Sequence, residues 1–324
     1  MKEIIAGKNE AGQRVDKLLG KILKNSTKSF IYKMMRKKNI VLNDKKCNGN
    51  EMIKEGDSIK IYFSDETFEK LSGDTIVVTN DKGSDFYKYI IYQDENVLLA
   101  SKPFGVLSQK AKEDDVSMNE LLIDYMIQNQ MLNLDELRTF KPAFVNRLDR
   151  NTTGLMVAGK SLLGLQKLTE YIRERDTDKF YITVVKGQLK GKKHLEGYLK
   201  KDDKGNFVRI VKDGNGKSER IITEYEAIKD NGEITLVKIK LVTGKTHQIR
   251  AHLASIGHPV LGDYKYGDRA FNDIYKKKYG IEAQLLHSYQ MIFKKNIQDD
   301  RCNVAGKEFM APLPEVYNKL FSEA

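Results

Sequence analysis

The first part of the chain carries apolar residues at the spacing of helix faces. One set recurs at positions i, i+3, i+4 and i+7, which predicts a short amphipathic helix. Its members are Val15, Leu18, Leu19 and Ile22. The potential capping residues Asn25-Ser26-Thr27 precede a second apolar face, made of Phe30, Ile31, Met34 and Met35. The pattern predicts two short helices in succession.

The pattern then changes to short apolar runs. Ile40-Val41-Leu42 is followed by the turn pair Asn43-Asp44, and apolar residues alternate with polar ones over 59–63. These are features of short strands joined by tight turns. For residues 1–63 the sequence therefore predicts two helices followed by a small hairpin sheet.

Two further segments follow. Residues 64–88 are polar and rich in Gly, Asp and Ser, which predicts a linker, although Ile76-Val77-Val78 has strand character. In residues 89–324 strand-like runs mix with helical stretches, which predicts an α+β domain. The strand-like runs are residues 90–92, 97–100, 180–185 and 234–237, and the helical stretches are 118–131 and 162–172.

Charge is concentrated at the N-terminus. The chain carries a formal net charge of +11. Residues 1–63 hold 15 Lys and Arg against 7 Asp and Glu, a net +8, and the rest of the chain holds a net +3. A basic unit of this kind favours a polyanionic partner. A solvated, Lys-rich helix surface is the alternative explanation.

Targeting and cysteine patterns favour a soluble intracellular protein. The N-terminus lacks the apolar run of a signal peptide, and no apolar stretch of 18 residues could span a bilayer. Cys47 and Cys302 belong to no C-x-x-C pair, so neither a disulfide framework nor a zinc site is indicated. We therefore expect a cytoplasmic protein without membrane association.

The stretch from Asn146 to Lys160 joins a charged loop to an apolar strand. In it Asp149 lies between Arg147 and Arg150, and flanking cations favour an ionised carboxylate, which suits a nucleophile or a base. An aspartate ahead of Thr-Thr-Gly is also typical of a turn or a cap. Spacing alone leaves both interpretations open.

A family resemblance bears on that choice. Residues 147–155, Arg-Leu-Asp-Arg-Asn-Thr-Thr-Gly-Leu, resemble the signature loop of the pseudouridine synthases that modify large-subunit ribosomal RNA and some transfer RNA. Further blocks resemble that family in its order, and they are residues 102–105, 179–187, 243–252, 257–263 and 286–287. The resemblance covers residues 89–293 in separate blocks. It implies a catalytic domain built on a mixed, largely antiparallel sheet.

The resemblance also implies a reaction. In that family the bond between uracil and ribose C1′ breaks, the base turns, and it is rejoined through C5 without gain or loss of an atom. Asp149 would be the carboxylate for this step. No cofactor and no metal is implied, and nothing in the sequence requires more than a monomer.

The resemblance implies further site residues. The catalytic residues would be Asp149, Tyr181 and Arg250, and the substrate-binding residues would be Arg147, Leu286, Lys102 and His247. Arg250 would pair with Asp149, Tyr181 would stack on the flipped uracil, and Arg147 would insert where the base has left. Leu286 would form an apolar wall. Ordinary roles remain open for these residues, such as a surface Arg, a core Tyr or Leu, or a phosphate contact by Arg250.

The sequence departs from the family pattern at three positions. Asn146 stands where a His is common, and Gln109 stands near another such His. Lys245 replaces the more frequent Arg, which keeps the charge but gives up bidentate geometry. None of these changes removes a proposed catalytic group.

The N-terminal unit resembles the alpha-L RNA-binding motif of ribosomal small-subunit protein four. Its basic residues would contact phosphates and give salt-dependent affinity with little sequence reading. The implied RNA-binding residues are Arg14, Lys17, Lys28, Lys33, Arg36, Lys37 and Lys38. The expected partner is structured ribosomal RNA.

Three histidines allow a different interpretation. His247, His252 and His258 lie close together and Asp263 follows. Their spacings of five and six residues do not match ligands on one helix face, and no H-E-x-x-H or Cys cluster accompanies them. We therefore expect no metal site and assign these side chains to loop-positioning hydrogen bonds.

Three classes of function are thus weighed. The leading hypothesis is isomerisation of uridines in large-subunit ribosomal RNA, with a transfer-RNA synthase as its nearest variant. A noncatalytic RNA-binding or ribosome-assembly factor would need only the basic surface, and a metal-dependent hydrolase would need the histidines. The presence of the set Asp149, Tyr181 and Arg250 favours the first.

Overall fold

The computed structural model describes most of the chain. The described residues are 1–73, 85–112, 115–134, 136–202, 207–211 and 218–322. Within these ranges no helix is long and apolar enough to cross a membrane. The strand character noted at residues 76–78 falls outside them.

The N-terminal unit packs helices on a four-stranded antiparallel sheet. Its elements are β1 (Lys2–Ile5), α1 (Val15–Ile22), α2 (Lys28–Arg36), β2 (Ile40–Leu42), β3 (Lys45–Lys46), β4 (Ser58–Ile61) and α3 (Asp65–Ser72). The strand order is β1-β4-β2-β3. Thr27 caps α2 by accepting a hydrogen bond from the Phe30 amide at 3.2 Å. Asn43 and Asp44 have φ angles of 50° and 60°, the left-handed backbone that tight hairpin turns require.

Helix α3 lies within the range that the sequence predicts as a linker. Ser64 caps its N-terminus, and Phe68 is buried in the same core as α1 and α2. The single apolar face of α3, set among many charged residues, is enough to pack the helix against this core. The N-terminal unit therefore extends to Ser72, and residues 74–84 of the expected linker lie outside the described residues.

The second unit is built on an eleven-stranded sheet, which confirms the predicted α+β class. Its strands are β5 (Ile90–Gln93), β6 (Val97–Lys102), β7 (Ala143–Phe144), β8 (Thr153–Gly159), β9 (Thr177–Lys186), β10 (Lys192–Lys201), β11 (Val208–Val211), β12 (Ser218–Asp230), β13 (Ile234–Leu241), β14 (Leu286–Phe293) and β15 (Glu308–Met310). Its helices are α4 (Met118–Gln128), α5 (Leu162–Arg173), α6 (Gln248–Ser255), α7 (Arg269–Tyr279) and α8 (Glu315–Ser322), with 3-10 turns at Phe86–Tyr89 and Glu136–Arg138.

The centre of this sheet positions the site. The strand order is β11-β10-β12-β13-β9-β14-β8-β6-β5, with β15 on β14 and β7 on β8. Between described strands the pairs are antiparallel except β14 and β8, which run parallel. Alternate residues of β6 enter different cores: Leu98 packs in one, and Leu99 in the other. A strand buried on both faces gives the loops at its ends a rigid base.

The N-terminal unit rests against the second unit through the loop after β1. The Asn9 side chain accepts a hydrogen bond from the Leu162 amide at 2.9 Å, at the start of α5. The buried Glu10 carboxylate accepts one from the Thr139 hydroxyl. These contacts fix the basic unit beside the larger domain.

Candidate active site

The loop between β7 and β8 carries Asp149 into a cleft of about 700 Å³. Asn146 anchors the start of this loop, because its side chain donates to the Leu155 carbonyl at 3.2 Å and accepts from the Val157 amide at 2.8 Å. The Thr152 amide donates to the Asp149 carbonyl at 3.0 Å, which closes a tight turn. Both ends of the loop are thus tied, and the Asp149 side chain stays 26% exposed.

Arg250 on α6 holds the Asp149 carboxylate. Its Nη1 donates to Asp149 Oδ2 at 2.8 Å. Its Nε and Nη2 donate to the two Asp263 oxygens at 2.7 and 2.9 Å, a bidentate pair. Asp263 is almost fully buried and also accepts the Lys265 and Tyr266 amides. The guanidinium therefore has one fixed orientation and presents one donor to the cleft.

His247 lies behind the same carboxylate. Its Nε2 is 3.7 Å from Asp149 Oδ2, and its Nδ1 is 2.9 Å from the Tyr266 hydroxyl. Its φ is 53°. Burial lowers the pKa of His247 below its usual value, which favours the neutral ring. The Arg250 guanidinium lies 5.1 Å from the centre of the Tyr266 ring, which packs against it.

Tyr181 and Leu286 form the apolar side of the cleft. They lie on the paired strands β9 and β14, line the cleft and are each 6% exposed. Burial raises the pKa of Tyr181 to about 12, so its hydroxyl stays protonated. A flat ring and an aliphatic side chain next to a carboxylate form a site that a planar base can enter.

Basic side chains surround Asp149 in the cleft. They are Arg147, Arg150, Lys179, Lys201 and Lys245. Arg147 is exposed and makes no hydrogen bond or ion pair with another described residue. Burial, followed by the charge of Arg175, lowers the pKa of Lys179. A cleft of this charge attracts a polyanion.

Lys102 is placed differently from the expectation that it binds substrate. Its side chain is fully buried, and its ammonium donates to the carbonyls of Pro103, Val106 and Arg150 at 3.0, 2.7 and 2.7 Å. Burial lowers its pKa to about 8. All three ammonium hydrogens of the charged form are thus directed at backbone oxygens. Lys102 ties the turn after β6 to the Asp149 loop and does not line the cleft.

The side chains of His252 and His258 form hydrogen bonds within the protein. His252 Nδ1 lies 3.0 Å from the Thr223 hydroxyl, and burial lowers its pKa to about 4. His258 Nδ1 lies 3.0 Å from the Lys186 carbonyl. Across the described part of the chain, no group of three or more His, Cys, Asp or Glu is arranged to hold a metal ion.

The candidate RNA-binding residues of the N-terminal unit lie on the surface of α1 and α2. Those that are exposed are Lys17, Lys28, Lys33, Arg36, Lys37 and Lys38. Arg14 differs, because its guanidinium donates to both oxygens of Asp16 at 3.0 and 3.1 Å and also to Asn50. That ion pair at the start of α1 uses the face of Arg14 that a phosphate would need.

The sequence analysis gave three residues no role in the active site. Asp263 and Tyr266 orient Arg250 and His247, and both belong to the block Gly-Asp-Tyr-Lys-Tyr-Gly between α6 and α7. Ser108 holds the Asp149 loop from the cleft wall. Asp263 was considered above as a metal ligand only, and its signal was its place in the family-like block at 257–263.

Comparisons with known proteins identify the family to which the chain is similar. The profile of the family described as RNA pseudouridylate synthase matches residues 96–255. Ribosomal large subunit pseudouridine synthase C of Vibrio parahaemolyticus is 32% identical over 292 residues, covering 90% of this chain and 87% of the relative. The protein of the same name from Rickettsia bellii is 28% identical over 326 residues, covering 98% of this chain and all of the relative.

Two solved structures share the fold. Human RNA pseudouridylate synthase domain containing 4 superposes with a TM-score of 0.57 at 20% identity, covering 73% of this chain and 92% of that one. Human RNA pseudouridylate synthase domain containing 1 gives a TM-score of 0.52 at 18% identity, covering 69% and 82%. At these identities the likeness extends to the fold alone.

Proposed function

Because the chain belongs to the RNA pseudouridylate synthase family, we propose that it isomerises specific uridines of large-subunit ribosomal RNA to pseudouridine. The relatives that match nearly its whole length are named for that activity. The observation that carries the proposal is the Asp149 carboxylate, held at 2.8 Å by Arg250 in a cleft with an aromatic wall. We further propose that it works as a monomer in the cytoplasm.

The reaction needs a carboxylate at this place. The N1–C1′ bond of uridine breaks, a C5–C1′ bond forms, the C5 hydrogen leaves as a proton, and N1 gains a proton. Asp149 can bond to C1′ while the base turns, or can remove a proton from the sugar or base, and each role requires its ionised form. The protonated Tyr181 hydroxyl offers no competing negative charge.

The base must leave its stack to reach Asp149. Extrusion of a nucleotide costs a few kcal/mol, and groups that fill the vacated position or cover the flipped base offset that cost. Arg147 is exposed at the cleft and unpaired among the described residues, which suits the first task. Tyr181 and Leu286 suit the second, because together they offer the flipped uracil an apolar surface to pack against.

The N-terminal unit would bring RNA to the cleft. Six of its seven candidate basic residues are exposed on the helix pair or directly after α2, and the unit is tied to the catalytic domain through Asn9 and Glu10. Contacts of lysines with phosphates give affinity that falls steeply with salt. The unit therefore supplies binding energy, while sequence is chosen at the flipped uridine and its surroundings.

The test is pseudouridine mapping on ribosomal RNA from cells that lack the protein. Carbodiimide labelling followed by primer extension locates each pseudouridine. We expect one or more sites in large-subunit RNA to be lost, to return with the wild-type gene and to stay absent with Asp149→Asn.

A matched control is Asp178→Asn. Asp178 is similarly exposed at 32% and is paired with Lys240 at 3.1 Å, but it does not line the cleft. This variant should restore every site. If all sites persist without the protein, the large-subunit assignment falls, and transfer RNA would be mapped in the same way.

A further inference from the structure

The turn that leads into the active-site cleft, called its rim below, carries an exposed aromatic residue. Phe104 is 53% exposed and lies in the turn between β6 and Leu107, where the chain begins to line the cleft. Single exposed apolar residues are common on protein surfaces. The ring is therefore informative only through what holds it and what surrounds it.

The turn that carries Phe104 is fastened to the catalytic loop. The buried Lys102 ammonium joins the carbonyls on both sides of Phe104, those of Pro103 and Val106, to the Arg150 carbonyl. Arg150 in turn donates from Nε to the Gly105 carbonyl at 3.0 Å. Four hydrogen bonds thus fix the backbone of the turn that carries Phe104 relative to the loop that carries Asp149.

The basic residues near Phe104 indicate which kind of partner it would contact. Arg147 and Arg150 follow the same rim and are exposed, so a phosphate backbone would run beside the ring. When one uridine leaves its stack, the faces of its neighbouring bases become uncovered. Aromatic side chains next to a cationic track are the common means by which proteins bind such unstacked bases.

We propose that Phe104 is a stacking platform for a nucleobase of the RNA strand adjacent to the uridine in the cleft. This inference rests on the proposed function, because it places RNA at this rim. The hydrogen-bonded backbone of the turn holds Phe104 next to the cleft, and a base that stacks on its ring adds affinity without sequence reading.

The absence of tryptophan from the chain allows a direct test. In Phe104→Trp the new indole is the single tryptophan, and stacking with a base quenches its fluorescence. We expect quenching on titration with transcribed large-subunit ribosomal RNA. Ile228→Trp is the matched control, since Ile228 is 52% exposed and lies away from the cleft lining, and it should not be quenched.

Binding measurements separate the ring from mere apolarity. Phe104→Ala and Phe104→Leu should raise the Kd for this RNA on the order of tenfold in filter binding, whereas Phe104→Tyr should match the wild type. An unquenched Phe104→Trp that still binds RNA, or a Phe104→Ala with wild-type Kd, would overturn the inference. Failure of the wild type to form pseudouridine would overturn the proposed function instead, and the quenching would still decide whether RNA stacks here.

Discussion

The Ser108 hydroxyl holds both backbone polar groups of Leu148, the residue before Asp149. Ser108 Oγ donates to the Leu148 carbonyl at 2.8 Å and accepts from the Leu148 amide at 3.0 Å. Both residues are buried. The Ser108 side chain thus fixes the position of the Asp149 loop in the cleft.

Replacement of Ser108 by Ala should slow catalysis more than it weakens binding. It leaves two buried backbone groups without their partner, at a cost of about 1–3 kcal/mol. The loop can then shift, and a displacement near 1 Å can lower the rate by about 100-fold. Single-turnover rates and RNA Kd measure the two effects separately. The control is Ser26→Ala, which removes a hydroxyl bonded to the Leu23 carbonyl far along the chain, and an unchanged rate in Ser108→Ala would refute the positioning role.

Asp263→Asn should act on Asp149 through Arg250. The change removes the negative charge and one of the two acceptors of a buried, bidentate pair, which costs about 3 kcal/mol of stability and allows the guanidinium to reorient. We expect kcat to fall about 100-fold with little change in RNA Kd. Urea unfolding and single-turnover assays report the two quantities. If kcat fell equally in Asp263→Asn and in the surface variant Asp178→Asn, Asp263 would not act on Asp149 through Arg250.

Gly154 permits the parallel pairing of β8 with β14. Its φ is 102°, and a Cβ there would overlap the Ser288 carbonyl. Gly154→Ala should therefore destabilise the protein by about 3 kcal/mol or more, from backbone strain and overlap together. Gly191→Ala isolates the strain, because Gly191 has φ 69° and open space around its Cβ position. Similar unfolding free energies for the two variants would contradict the steric part of this account.

His287 should make stability depend on pH in the acidic range. Its Nδ1 lies 2.7 Å from the Thr153 hydroxyl, and burial lowers its pKa to about 4 from 6.5. Between these values the unfolded chain binds more protons, so the free energy of unfolding falls as pH falls, by up to about 3 kcal/mol for this group. The buried His252 adds in the same direction.

Urea unfolding from pH 7 to pH 4.5 checks this linkage. His287→Asn keeps a polar group near the position of Nδ1 but cannot titrate there. Its stability should decline less steeply than that of the wild type over this range. If the free energies of unfolding of the wild type and His287→Asn fell equally with pH, His287 would not make the expected contribution to the pH dependence.

Local patterns in the sequence predicted what depends on local structure. Helix α1 covers the residues whose apolar spacing predicts it, and β5, β6, β9 and β13 contain the strand-like runs. The predicted helix over 118–131 ends earlier, at Gln128. Helix α3 was missed because its single buried aromatic, Phe68, is set among charged residues, and its packing surface belongs to a distant part of the chain.

The site was predictable only as far as the resemblance named its residues. The resemblance predicted that Asp149 and Arg250 pair, although they are far apart in the sequence and no periodic pattern relates them. The two side chains are in contact. The resemblance placed Lys102 among the substrate-binding residues, whereas the Lys102 ammonium is bound by backbone carbonyls, which any residue can supply. It also left out Asp263, whose effect on Asp149 passes through a third side chain.

The most direct test of the account is release of tritium from RNA labelled at uridine C5. Formation of the C5–C1′ bond expels the C5 hydrogen, so each turnover frees one label to water. With transcribed large-subunit ribosomal RNA, we expect the wild-type protein to release tritium, and Asp149→Asn to release none while binding the RNA with the same Kd. Release by Asp149→Asn at the wild-type rate, or none by wild-type protein that binds the RNA, would contradict the central claim.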